Sequence, residues 1–334
     1  MTFTAIPVNG GSAPAYQWKI NGANAGPNSP AYNYNPASGD LVSCILTSNR
    51  SCVTDNPSTS NTIIMSGTLA SVVTFTRCFD SITTTTAQPI KLKGGIPLGG
   101  TYSGAGVSGG IFHPAIVGVG THQITYTYTN AAQCSASTIV PIVTVVPTVT
   151  NCGQLLTDIR DGKTYQTAKI GNQCWMAEDL NYGVEINSNT DQRDNCTPEK
   201  YHNPASSIQH PASVYQWDEL MQYDDTPGDQ GFCPPGWHVP TENDWNILFA
   251  NYTNSAFAGS PLKASGFSGF NALLSGVRDI KSSWDLGGFA GVYWSSSSWG
   301  AAKAWGHGVN LVDPSVSNYP ALRGNAFSVR CMQD

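Results

Sequence analysis

A multidomain chain dominated by β structure, with two all-β modules followed by an α+β domain, is what three observations predict. Gly 34 and Pro 21 are spread through 334 residues rich in Ser, Thr and Asn, which marks frequent turns. Short runs with apolar residues at every second position recur in the first half. Helical spacing is confined to two stretches of the second half. The length suits two or three domains, and a hydrophobic content of 40% is enough for packed cores.

Charge and cysteine usage narrow the function classes. Charged residues make up 11% of the chain and the net charge is -6, against what a nucleic-acid partner requires. No apolar run is long enough to span a bilayer, so no membrane insertion is expected. Nine cysteines lie scattered beside loops, none in a C-x-x-C pair, and read as disulfides of an oxidising compartment. The six histidines show no zinc-ligand spacing. No signal-peptide pattern follows Met1. Thr2 to Val8 read as a strand already under way, which predicts a longer chain upstream with neighbouring repeats.

Residues 1–68 form the first predicted module. Its strands are 16–20 with Trp18 inward, 41–46 and 62–65, and Asn21-Gly22 is a hairpin turn. Cys44 and Cys52 either close a hairpin, or one of them has its partner elsewhere. Residues 69–147 form the second module, with strands at 72–76, 90–92, 122–129 and 138–146. Cys78 and Cys134 are expected to tie an early strand to a late one. Both modules resemble immunoglobulin-like repeats of bacterial surface proteins, the first through its core Trp18 and Cys44. Gly104-Ala105-Gly106-Val107-Ser108-Gly109 matches a dinucleotide fingerprint in letters only. No helix follows to hold a pyrophosphate, so it reads as a loop.

After a linker at 147–153 the third domain, 148–334, opens with a hairpin: 163–170, a Gly171-Asn172 turn, then 173–176. Cys152 and Cys174 flank it as a candidate pair. A long polar loop covers 181–212, and 214–223 reads as a short helix with Trp217, Leu220 and Met221 on one side. In the stretch 233–245, Pro234, Pro235 and Gly236 force a turn and Trp237-His238-Val239 make a buried strand. Thr241-x-x-Asp244 then forms a capping box, and Trp245, Leu248 and Phe249 give the helix an apolar face. Tyr293-Trp294-Ser295-Ser296-Ser297 and Phe327-Ser328-Val329-Arg330-Cys331 read as strands.

Asp161-Gly162-Lys163-Thr164-Tyr165, the run from Ile170 through Cys174-Trp175-Met176-Ala177-Glu178, the 233–245 stretch, Trp294-Ser295-Ser296 and 327–331 together resemble the Fibrobacter succinogenes major paralogous domain. This family is common in surface and secreted proteins of Bacteroidetes-like bacteria. Its C-terminal half is similar to the C-type lectin fold. The resemblances imply a multidomain chain: two all-β immunoglobulin-like sandwiches followed by an α+β C-type lectin-like domain. They also imply a bridge from Cys233 to Cys331. Relatives often carry a second cysteine near Cys196. Here His202 stands in that region, so Cys196 is expected to be unpaired.

The loop Asp224-Asp225-Thr226-Pro227-Gly228-Asp229 could offer carboxylates to a structural calcium, but its spacing is not that of an EF-hand, and a solvated acidic turn is the better reading. No other cofactor is expected. The Glu-Pro-Asn, Gln-Pro-Asp and Trp-Asn-Asp motifs of calcium-dependent lectins do not occur, so that chemistry does not carry over. His238 among apolar neighbours reads as a core histidine. The formylglycine-generating enzymes share the broad fold and an Arg-Cys strand, yet Cys331 is better explained as a bridge partner, so no enzyme is expected.

The segment 295–325 is the candidate ligand-binding face, with Trp299, Lys303, Trp305, His307, Asn310, Asp313, Ser315, Asn318, Tyr319, Arg323 and Asn325 as its contact residues. Aromatic, Asn, Ser and Gly residues are what adaptable recognition surfaces use. Some relatives are variable proteins of diversity-generating retroelements, in which this face is rewritten. The expected function is an extracellular or cell-surface adhesin or receptor-binding protein, bacterial or on a phage virion. Its lectin-like tip would bind a protein or glycan on another surface. The alternatives are a structural module of a long fibre without a ligand, and an enzyme of the formylglycine-generating type.

Overall fold

The computed structural model describes residues 1–66, 71–145, 152–203 and 213–334. Parts of three expected features fall outside them: the boundary between the first two modules, the linker at 147–153, and the end of the 181–212 loop. Strands dominate, in several separate sheets. Contacts divide the chain into two units: residues 1–72 with 129–136, and residues 73–128 with 137–334.

In the first unit Ala15–Ile20 pairs antiparallel with Leu41–Thr47, which sets Trp18 opposite Cys44. Asn21 and Gly22 both take positive φ, 51° and 83°, and return the chain into Ala23–Ala25, as a type I′ hairpin requires. Phe3, Trp18, Val42 and Cys44 form the core, and the Trp18 indole donates to the Ser29 carbonyl. Asp40 accepts from Asn21, from the Tyr34 hydroxyl and from the Ala37 amide. Cys44 is buried and Cys52 exposed, and no bridge joins them.

The second unit begins with a sheet in the order Thr101–Ser103, Gly120–Thr129, Ser135–Val145, Ile82–Thr84. The alternation read at 122–129 holds, with Ile124 and Tyr126 buried. Gly104, Gly106 and Gly109 all take positive φ in turns around Val107–Ser108, and the next element is the strand Ile111–Phe112. The fingerprint-like letters therefore lie in a loop between strands.

Further along, Thr167–Ile170 and Gln173–Met176 form the expected hairpin. Met332–Gln333 pairs with its second strand, and Trp237–His238 pairs with Met332–Gln333. The unit also holds a six-stranded sheet and, near the C-terminus, a three-stranded sheet. The three-stranded sheet runs Ala290–Trp299, Lys303–Asn310, Val316–Leu322, antiparallel throughout. It stands between two cores. Val292, Trp294, Ala304 and Ala321 pack on one side with Trp217, Phe327 and Val329. Tyr293, Val309 and Val316 pack on the other with Trp175, Trp245, Phe249 and Phe270. Successive residues reach opposite cores because the side-chain period of a strand is two.

Helix Glu242–Ala250 has the predicted capping box. The Thr241 hydroxyl accepts from the Asp244 amide at 3.2 Å, and the Asp244 carboxylate accepts from the Thr241 amide at 2.8 Å. Trp245, Leu248 and Phe249 are its buried face. The helix expected over 214–223 is a single turn, Trp217–Leu220. Residues Ser213–Gln216 form a strand instead, because their backbone is claimed on both sides, by Tyr201–His202 and by Ala326–Phe327. The strand expected over 327–331 is also interrupted: the chain leaves one sheet after Phe327 and enters another at Met332.

Disulfides join Cys152 to Cys174 and Cys233 to Cys331, as expected. The third joins Cys78 to Cys196, which corrects both the Cys78–Cys134 pairing and the unpaired Cys196. Cys78 lies in the loop after Thr74–Phe75, where it and Cys196 wall the same cavity. Cys134 lies instead in the turn between Gly120–Thr129 and Ser135–Val145, where its carbonyl accepts from Asn130.

His238 closes the last strand onto the capped helix. Nδ1 meets the Asp334 carboxylate at 2.7 Å, and Nε2 lies 3.5 Å from Asp244. Burial opposes its charge, but hydrogen bonds to Asp244 and Asp334 outweigh burial and raise it from 6.5 to about 9. A histidine raised on folding stabilises fully below its unfolded value, and that stabilisation is lost as pH rises through the folded value. The chain should therefore lose stability between pH 7 and pH 10 by a component that His238→Asn removes. Urea midpoints across this range check it, and equal slopes for both proteins would refute it.

Candidate functional site

The three-stranded sheet positions the segment the sequence singles out. Its register slips between Trp294 and Ser298, and the serines in this bulge serve as internal hydrogen-bonding groups. The Ser296 hydroxyl accepts from Gly228, the Ser297 hydroxyl accepts from the Glu242 amide at the helix start, and the Ser295 carbonyl accepts from the Trp217 indole. Past the bulge the chain turns at Gly300, φ 69°, and returns as Lys303–Asn310.

Helices Glu242–Ala250 and Ser255–Leu262 cover one face of this sheet at Val309 and Val316. The same face continues toward the hairpin turn through register pairs. Asn318 lies opposite His307, Pro320 opposite Trp305, and Leu322 and Trp299 opposite Lys303. Trp299 is 53% exposed and Leu322 38%. The Trp299 and Trp305 rings meet edge to face with centroids 4.9 Å apart, a favourable aromatic arrangement. At the root of this strip His307 is fully buried and stacks on Trp245 at 4.6 Å. Its Nδ1 lies 3.0 Å from Asn318 Oδ1 and its Nε2 3.1 Å from Glu242 Oε2.

The predicted contact residues thus separate into groups. Trp299, Lys303, Trp305 and Asn318 share the uncovered strip. Tyr319 lies on the opposite face of the same strand, its ring near Gly308, because it is odd where Asn318 is even. Asn310, Asp313 and Ser315 belong to the turn at the other end of the sheet. There the Asn310 side chain accepts from Asp313, the Asp313 carboxylate accepts from the Ser315 amide, and Lys263 donates to the Leu311 and Asp313 carbonyls. Seven residues at ~3.3 Å each put that turn roughly 23 Å from the hairpin tip. Asn325 accepts from the Ile280 amide. Pro320, Leu322 and Glu242 were not among the predicted residues. Even-numbered alternation in Val316–Leu322 is the signal that groups Pro320 and Leu322 with Asn318.

Arg323 is buried, and its role is to position the hairpin. Its guanidinium lies 4.0 Å over the Trp217 ring and holds Asp225 with two hydrogen bonds, 2.8 and 3.0 Å, and Asp218 with one, 3.1 Å. Its remaining donors reach the carbonyls of Gly300 and Lys303 on the turn. The acidic loop is therefore divided among partners. Asp225 belongs to Arg323, and Asp224 pairs with Lys91 at 2.6 Å. Burial and then the nearness of Asp224 push Asp229 up to about 6. Among the described residues no group of three His, Cys, Asp or Glu could hold a metal ion. Cys331 is bridged to Cys233, and both His238 nitrogens face carboxylates.

Residues 168–333 match the family model of the Fibrobacter succinogenes major domain, and this segment is a member of that family. No curated protein and no solved structure matches the chain.

Replacing Arg323 by Leu keeps bulk over Trp217 and removes the side-chain ties to the turn, leaving the Arg323 amide on the Ala302 carbonyl. Amide hydrogen exchange at residues 299–303 should then quicken about tenfold or more, in line with charged hydrogen bonds of about 1.5–3 kcal/mol. Unchanged exchange there would show that the strands alone fix the hairpin.

Proposed function

We propose that the Fibrobacter succinogenes major domain of this chain is the binding part of an extracellular or cell-surface adhesin or receptor-binding protein. It engages a protein or glycan without covalent chemistry. In this reading the strand-rich modules before it are immunoglobulin-like, and the domain itself is C-type lectin-like. The Cys233–Cys331 bridge and the sheet packed between two cores support the second assignment. Trp18 packed among Phe3, Val42 and Cys44 supports the first.

One observation carries the proposal. An exposed tryptophan, braced by a second tryptophan ring and a buried arginine, stands on the part of a sheet face that the helices leave uncovered. Large rigid aromatics lose little entropy on binding and dominate interface energetics. Lys303 and Asn318 add charge and hydrogen bonding at the margin. The reading includes diversification by a retroelement, since Trp299, Lys303, Trp305 and Asn318 are held by backbone pairing that tolerates other side chains. Trp294 and Arg323 are buried in the framework.

The full chain, labelled and screened on a glycan array and on a displayed library of surface proteins, should give saturable hits. Trp299→Ala should weaken them about thirtyfold with no change in thermal unfolding. Equal binding by the variant removes this face from the account. Absence of any hit, with lateral self-association in the ultracentrifuge, would favour a fibre module. A near-copy of the DNA encoding residues 295–331 beside a reverse-transcriptase gene, differing at adenines, is the genomic result expected; its absence would leave a fixed binding face.

A further inference from the structure

Within the second unit a cavity of about 230 Å³ opens between the loop at residues 77–81 and the loop at residues 193–198. The Cys78–Cys196 disulfide forms part of its wall. It is far larger than a single water needs, and it lies away from the Trp299 face, sharing no residue with it.

The charge of its lining is opposite to that of the chain. The whole sequence has 16 Lys and Arg against 22 Asp and Glu. Yet Arg77, Lys93, Arg160 and Arg193 all line this cavity. Arg160 is neutralised in place: it pairs with Asp158 at 2.7 Å and Asp80 at 3.2 Å and lies 3.8 Å over the Tyr182 ring. Among the described residues Arg77, Lys93 and Arg193 form no ion pair, and Lys93 donates to the Gln222 carbonyl. Counted over the whole lining, the four cations stand against three acids, Asp80, Asp194 and Glu219. Burial pushes the Glu219 carboxyl up to about 7, which favours its neutral form. The balance in the cavity is positive. Phe79, Tyr182, Tyr223 and Phe232 supply apolar wall between the charges.

We propose that this cavity is a second binding site, for a small organic oxyanion of monosaccharide size, such as an acidic sugar. The cations Arg77, Lys93 and Arg193 would take the carboxylate or sulfate, and the aromatic walls the ring. A carboxylate or a sulfate presents the same oxygens to a guanidinium fork. Glu219 and Asp194 face the hydroxyls of such a ring as acceptors.

Isothermal titration of the full chain with sodium glucuronate, with glucose as the neutral control and with inorganic sulfate as competitor, tests it. Saturable binding of glucuronate but not of glucose is expected, with displacement by sulfate. Arg77 and Arg193 are exposed, so the double variant Arg77→Ala, Arg193→Ala should fold and bind about a hundredfold more weakly, roughly tenfold per charged hydrogen bond. Trp299→Ala should bind glucuronate unchanged, which separates this site from the sheet face. The proposal is overturned if neither glucuronate nor sulfate binds, if glucose binds equally, or if the double variant keeps wild-type affinity.

Discussion

Arg330 has no exposed surface, and the closure of the C-terminal domain depends on where its charge goes. Its Nε meets Asp179 at 2.5 Å, and its other nitrogens donate to the carbonyls of Met176, Phe270 and Asn271. These partners come from the first hairpin of the domain and from the segment after the second helix. A buried guanidinium without them would be untenable, since removing one partner of a buried ion pair costs about 3–5 kcal/mol. The charge therefore specifies one arrangement of three distant segments, and the neighbouring Cys233–Cys331 bridge makes it permanent. Asp179 and Arg330 lie in the third-domain sequence as ordinary charged residues. Burial and complete hydrogen bonding are what give them this role.

With the last strand fixed, the three-stranded sheet becomes a partition. Its inner end needs apolar residues on both faces, and Trp294 and Tyr293 serve neighbouring cores from adjacent positions. Toward the hairpin the helices stop and one face meets solvent, so the same alternation now exposes Trp299, Lys303 and Asn318. A binding face of this kind costs the fold little. Strand pairing and the Arg323 ties to Gly300 and Lys303 hold the backbone, whichever side chains the strip carries.

Local signals were legible in the sequence and distant ones were not. The capping box at Thr241, the Asn21-Gly22 turn and the alternation of 122–129 are short-range consequences of backbone hydrogen bonding, and each appears where its letters predict. The Cys152–Cys174 pair flanks a hairpin and could be read from that geometry, whereas Cys233–Cys331 was implied by family resemblance. Cys78–Cys196 spans 118 residues and depends on how two loops pack, which no periodicity encodes. In the 214–223 segment Trp217, Leu220 and Met221 have helical spacing, yet pairing of Ser213–Gln216 on both edges decides the backbone. In the candidate face the composition was legible but the geometry was not. Tyr319 and Asn318 are adjacent in sequence and point to opposite sides, and Arg323 looks like a contact residue until its carboxylates are known.

Residues 73–128 and 137–145 are bound to the rest of their unit by contacts of the same long-range kind. Composition alone suggests a separate module. Yet Arg160 is 4% exposed at its side chain and divides its charge between Asp158, two residues before it, and Asp80, eighty residues before it. Gln230 also donates to Asp80, and Lys91 pairs with Asp224. Pairs at the surface contribute little, but the Arg160 cluster is buried, and a disulfide crosses the same seam. A buried cation shared by two carboxylates is satisfied only when both are present. Residues 73–128 and 137–145 therefore supply part of the charge balance of the C-terminal domain as well as preceding it.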